Sequence, residues 1–211
     1  MVMFKFLVRC FAVLVLWSSA AANAYSASKT VLVVGDSLSA EYGITRGSGW
    51  VALLEQRLKE QSLPASVVNA SVSGETTSGG RTRLPALLSK HKPDVVIIEL
   101  GANDGLRGLP VAAAESNLRA MVDASRKAGA RVLLVGMRMP PNYGRDYADK
   151  FFAMYGNLSK DVKVPLAPFL LDGIAQKPEL FQPDRLHPLA QAHPIILGNV
   201  WPYLQPILKA K

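Results

Sequence analysis

Cysteine is nearly missing from this chain of 211 residues: the only one, Cys10, falls inside an amino-terminal stretch that reads as an export leader. A mature protein without it has no disulfide, no thiolate metal ligand and no cysteine nucleophile. Long apolar runs are also missing. The stretch Cys10 to Trp17 is far short of the roughly 20 residues that span a bilayer as a helix, but it suits the apolar region of a signal peptide. Lys5 and Arg9 precede it and Ala22-Asn23-Ala24 supplies a small-x-small cleavage site. Residues 1–24 are therefore expected to be a signal peptide, and 25–211 a single domain. Arg9 directly before Cys10 speaks against a lipoprotein signal. The net charge of +8 is spread along the chain, at Arg46, Arg57, Lys59, Arg81, Arg83, Arg119 and beyond, without a basic run. Nucleic acid is thus not an expected partner. With only three histidines and no His/Cys cluster, neither metal nor other cofactor is expected.

What the chain does have is alternation. Short β-branched runs at Val31 to Val34, Ser66 to Asn69, Val95 to Leu100 and Arg131 to Gly136, with a brief fifth near Val164 to Leu166, are separated by segments of helical spacing. Trp50, Leu53, Leu54 and Leu58 form one such stripe, and Leu118, Met121 and Val122 another, stopped at Gly129. Pro85 is expected in the first turn of a helix beginning near Leu84. Pro194, Pro202 and Pro206 are expected to break the last helix, somewhere between Pro188 and Leu208. The pattern predicts an α/β fold, a three-layer α/β/α sandwich of flavodoxin-like outline around a parallel sheet of about five strands.

Open parallel sheets carry their chemistry beyond the carboxyl ends of the strands, and four segments of this chain bear reactive residues. Gly35-Asp36-Ser37-Leu38-Ser39 places a serine just past a buried strand, where a helix starting soon after would aim its amides at an anion; a plain helix-capping turn fits the same residues. Ser73-Gly74-Glu75 could bring a bare backbone N–H close to a ligand. Gly101-Ala102-Asn103-Asp104 offers a side-chain amide, preceded by Glu99, a carboxylate ending an apolar strand and in need of a partner. Asp184-Arg185-Leu186-His187-Pro188 sets a carboxylate three residues before an imidazole. That spacing allows Asp184 to orient the ring while its other nitrogen serves as a base. His91 lies between two lysines and His193 has no acid nearby in sequence, so His187 is the candidate. Jointly these are the parts for acyl transfer: nucleophile, base, orienter and oxyanion donors.

The blocks Gly35-Asp36-Ser37-Leu38-Ser39, Gly101-Ala102-Asn103-Asp104 and Asp184-Arg185-Leu186-His187-Pro188 resemble those of the SGNH (GDSL) hydrolases, in the order Ser37, Gly74, Asn103, His187. The resemblance covers the mature chain. It points to the branch of exported esterases, thioesterases and lysophospholipases through the strings at Gly101 to Gly108, Arg83 to Leu88 and Pro141 to Gly144. It implies that Ser37 attacks the acyl carbon, His187 carries the proton and Asp184 holds the ring. The N–H groups of Ser37 and Gly74 and the amide of Asn103 would receive the oxyanion. Leu106, Leu109, Pro110, Met139 and Tyr143 would line an acyl crevice, with Gly105 and Gly108 letting the first loop close. Glu41 stands where small residues are common in relatives. No cofactor is implied, and the partners expected are small acyl esters or thioesters bound by a monomer with no membrane anchor once the leader is cleaved. Two other functions stay open: a polysaccharide O-acetyl esterase of the same family, and an exported binding protein without turnover.

Overall fold

The computed structural model describes residues 28–210, so the expected signal peptide lies outside the described residues. Five parallel strands form one sheet: β1 (Lys29–Gly35), β2 (Ala65–Asn69), β3 (Val95–Glu99), β4 (Arg131–Val135) and β5 (Leu166–Ala167). Their order in the sheet is β2-β1-β3-β4-β5. β1 and β3 are central and read as unbroken apolar runs because both faces are covered. Val31 to Val34 and Val96 to Ile98 are wholly inaccessible.

Among the described residues, six α-helices flank the sheet: α1 (Trp50–Glu60), α2 (Thr77–His91), α3 (Ala102–Leu106), α4 (Val111–Lys127), α5 (Arg145–Val162) and α6 (His193–Lys209). α1 packs on α6, while α4 touches both α2 and α5, which gives the three layers. The sandwich expected from the alternation is therefore the fold, with each strand within two residues of its expected place.

The prolines behave differently from expectation. Pro85 is in mid-helix, because α2 begins at Thr77, capped by Thr76, whose hydroxyl accepts from the Gly79 N–H. Gly79 and Gly80 lie inside α2 at close-packed positions. A Cβ at Gly80 would stand 2.3 Å from Leu100, and one at Gly79 would meet the Glu75 carboxyl. Likewise α6 runs unbroken from His193 to Lys209, with Pro194 in its first turn and Pro202 and Pro206 inside. Each internal proline removes one ladder bond. Burial of Ile196, Leu197, Val200, Leu204, Ile207 and Leu208 against the sheet offsets that cost.

Candidate active site

The switch between β1 and its neighbours places Ser37 immediately beyond the end of the central strand. Gly35 is needed there: a Cβ would lie 2.7 Å from Ser39 Oγ and 2.8 Å from Glu99 Oε2. The chain then coils through turns, with Ala40 N–H donating to the Asp36 carbonyl at 3.0 Å. A helix starting soon after Ser37, which would have aimed its amides there, is not formed: α1 starts only at Trp50. The reason lies in Glu41. It takes a left-handed φ of 60°, and its Oε1 accepts from the N–H groups of Gly47 and Gly49, both at 2.8 Å, which holds the intervening loop. The departure noted at Glu41 is thus a loop brace.

Ser37, His187 and Asp184 come together from positions 150 residues apart. His187 Nε2 lies 2.9 Å from Ser37 Oγ, and His187 Nδ1 lies 2.7 Å from Asp184 Oδ2. Asp184 is itself held, its Oδ1 accepting from Leu186 N–H at 2.9 Å and His187 N–H at 3.0 Å. Its slight burial favours the neutral acid, but those two N–H groups and the imidazole outweigh it and lower its pKa to about 2. An ionised Asp184 accepts a hydrogen bond from Nδ1–H, which keeps the proton on Nδ1 and leaves Nε2 free to accept from the serine hydroxyl.

The oxyanion donors named from sequence also lie in this site's loops. Gly74 has a φ of 78° that disfavours any side chain. Its loop is tied down by Arg83, which donates to Glu75 at 2.6 Å and to the Ala70 carbonyl at 3.1 Å, and by Arg107, which donates to the Gly74 carbonyl at 3.0 Å. Among the described residues, the N–H groups of Ser37 and Gly74 donate to no protein acceptor. Asn103 is placed by Gly101, whose φ of 123° leaves no room for a Cβ beside Tyr155 Oη. Its Nδ2 donates to the Glu75 carbonyl at 3.0 Å and to Asp36 Oδ2 at 3.2 Å.

Behind the serine lies a buried pair of carboxyls. Glu99 Oε2 accepts from Ser39 Oγ at 2.6 Å, and Ser39 Oγ accepts from Trp50 Nε1 at 3.2 Å. That is the partner Glu99 was expected to need. Burial, followed by the charge of Asp36, pushes the Glu99 carboxyl well above the usual range. Burial also raises Asp36 to about 6, against the opposing bond from Leu38 N–H and the nearby His187. His193, left aside on sequence, caps α1: its Nδ1 accepts from Trp50 N–H at 3.0 Å, and burial lowers its pKa to about 4.

Of the expected acyl-crevice residues, Leu109 and Pro110 are exposed, and Leu106 and Tyr143 are half-buried. Tyr143 Oη donates to the Leu106 carbonyl at 3.2 Å, tying the two loops together. Met139 departs from the expectation. It is buried, with its sulfur beneath Gly105, and so supports α3 from below instead of presenting surface. Sequence reasoning missed Tyr42, whose ring lies 4.3 Å from that of His187, and Gln182, whose Nε2 donates to the Tyr42 carbonyl at 2.9 Å. Neither belongs to a reactive residue pattern, and only the chain crossing brings them to the site.

Residues 33–195 match the model of the GDSL-like lipase/acylhydrolase family. The chain belongs to that family. It is 48% identical over 183 residues to esterase TesA of Pseudomonas aeruginosa, covering 87% of this chain and 91% of that protein. It is 43% identical to thioesterase 1/protease 1/lysophospholipase L1 of Escherichia coli, covering 87% and 86%. Among solved structures, TesA superposes with a TM-score of 0.83, covering 85% of this chain and 99% of that one. The psychrotrophic esterase EstA of Pseudoalteromonas superposes at 0.82 with 41% identity, covering 86% and 100%. As a GDSL-like acylhydrolase the chain is an ester hydrolase, and its sheet is the family's sheet.

Proposed function

We propose that this GDSL-like hydrolase is an exported enzyme that cleaves acyl esters and thioesters through an acyl-enzyme on Ser37. The observation that carries the mechanism is the continuous line Ser37 Oγ to His187 Nε2, 2.9 Å, and His187 Nδ1 to Asp184, 2.7 Å. In acylation the Ser37 oxygen bonds the acyl carbon as its proton passes to His187. The carbonyl electrons move onto oxygen, which the N–H groups of Ser37 and Gly74 and the Asn103 amide receive. Collapse breaks the bond to the leaving alcohol or thiol, which takes the proton from His187. Water then enters, loses a proton to the same ring, and releases the acid and the free serine.

The two N–H groups without protein acceptors support the oxyanion assignment, since such groups are rarely left unpaired without a ligand. For Asn103 to join them, one of its two present bonds must yield, and the longer one, to Asp36, is the one that gives way. Acyl esters, acyl thioesters and lysophospholipids are the substrate class, as the names of the relatives suggest. A sugar acetyl ester fits less well beside the apolar Leu106, Leu109 and Tyr143. Residues 1–24 serve as the leader, so the exported protein should begin at Tyr25.

Ser37→Ala is the deciding variant. With p-nitrophenyl acyl esters, activity should fall by roughly 10⁵-fold or more, and labelling by a fluorophosphonate should disappear. Unchanged turnover would end the assignment. A strong preference for acetyl over octanoyl esters would favour the sugar esterase.

A further inference from the structure

The imidazole of His187 has a second neighbour that the triad does not use. Tyr42 packs its ring against it, with centroids 4.3 Å apart and planes inclined at 40°, yet half of Tyr42 remains accessible to solvent. An exposed aromatic side chain is usually loosely held, but here the backbone beneath it is fixed on both sides. Tyr42 N–H donates to the Ser37 carbonyl at 3.4 Å, and its own carbonyl accepts from Gln182 Nε2, which also donates to the Pro188 carbonyl. The backbone N–H of Gln182 donates to the His187 carbonyl at 2.8 Å, so one side chain clasps the nucleophile turn to the histidine loop. Gly43 makes this possible: a Cβ there would stand 2.2 Å from Gln182 Oε1. Leu186, the residue before the histidine, is likewise exposed.

We infer that Tyr42 forms the subsite for the departing half of the substrate and selects apolar, planar leaving groups such as phenols and naphthols. The inference rests on the proposed acyl transfer at Ser37. In that reaction the leaving oxygen must come within hydrogen-bond reach of His187 Nε2, because its bond to the acyl carbon breaks as that nitrogen returns the proton. Whatever flanks the imidazole therefore flanks the leaving group. The expected acyl wall lies in the loops after β3 and β4, whereas Tyr42 lies in the loop after β1, so different loops are assigned to the two halves of the substrate. A planar ring offered to Tyr42 gains offset-stacking contact that an ethyl group cannot.

The test compares phenyl butyrate with ethyl butyrate, which share an acyl group and differ only in what departs. In Tyr42→Ala the ratio of kcat/KM for the phenyl over the ethyl ester should fall about tenfold, the size of one stacking contact. Tyr42→Phe should restore the ratio. Breakdown of the common butyryl-enzyme is the control, since it contains no leaving group. A slowing there equal to the loss in acylation would show that Tyr42 acts only by supporting His187, and would overturn the inference. An unaltered ratio would overturn it too. Tyr42→Leu, which keeps bulk without a ring, repeats the test should the alanine variant lose fluorophosphonate labelling and so prove misfolded. A wild-type protein inert to both esters is a distinct result and would sink acyl transfer itself.

Discussion

Asp184 and the pair Asp36 and Glu99 sit at the same end of the sheet and answer to opposite physics. Asp184 is exposed, receives two backbone N–H groups and an imidazole, and ionises near pH 2. Asp36 and Glu99 are buried against one another, and their desolvation keeps protons on them well past the usual carboxylate range. Identical chemistry is thus divided into a charge that holds the imidazole of the proposed base and a reluctant acid pair packed beneath the turn that carries the proposed nucleophile. Exposure and hydrogen bonding, not residue type, assign the role.

The largest effect should come from blunting the exposed partner. Asp184→Asn keeps the shape but can favour the wrong imidazole tautomer, and kcat should fall by roughly 10⁴-fold; melting temperature should move little, since an exposed ion pair contributes little to stability. A loss under tenfold would mean that the histidine loop orients the ring by itself. Next comes Asn103→Ala, which removes the amide bonded to Asp36 and proposed to receive the oxyanion. Its kcat should drop by about a hundred- to a thousand-fold, with KM changing far less.

The buried pair should reveal itself in stability. Native Asp36 keeps its proton to about pH 6, whereas an unfolded aspartate releases it near 3.8. Between those values the folded state binds the extra proton, so this contribution to stability falls as pH rises. His193 works the other way: the native ring resists protonation until about pH 4, against 6.5 when unfolded, and its contribution rises with pH across that window. Asp36→Asn removes the falling part. Its stability advantage over wild type should grow between pH 4 and 6 to roughly 1–3 kcal/mol, as read by denaturant titration at a series of pH values. A constant difference would show that Asp36 is not the group titrating.

The smallest effect sharpens the comparison most. Glu99→Gln keeps an acceptor for Ser39 and leaves this side chain uncharged, as burial and the Asp36 charge already hold Glu99 when Asp36 ionises. The Asp36 titration, followed by carbon-13 NMR, should therefore stay near 6, set by its own burial. A clear downward move would show that Glu99 is charged when Asp36 titrates.

The exposed half of this site was far easier to see in the sequence than the buried half. Asp184 and His187 are three residues apart in one proline-bounded loop, so local geometry already permits their pairing. Ser37, Gly74 and Asn103 each follow a readable apolar strand, and a parallel sheet gathers such tails at one edge. Glu99 was conspicuous as a carboxylate closing an apolar run, but its partner Ser39 is 60 residues distant. Met139 was expected to line a crevice because it follows the end of a strand in an apolar loop, and only the packing of Gly105 above it shows that it is covered.

Local rules failed where tertiary contacts override backbone preference. Pro85, Pro202 and Pro206 sit inside helices because the buried faces of α2 and α6 hold those helices together despite the lost bonds. The family blocks, the layers and the residues of the proposed triad follow from residue order and hydrophobic period, which are properties of short segments. The placing of Tyr42 on His187, the clasp of Gln182 and the sharing of Asn103 between Asp36 and Glu75 follow from none of these. They depend on distances between segments up to 145 residues apart, which only the folded sheet sets.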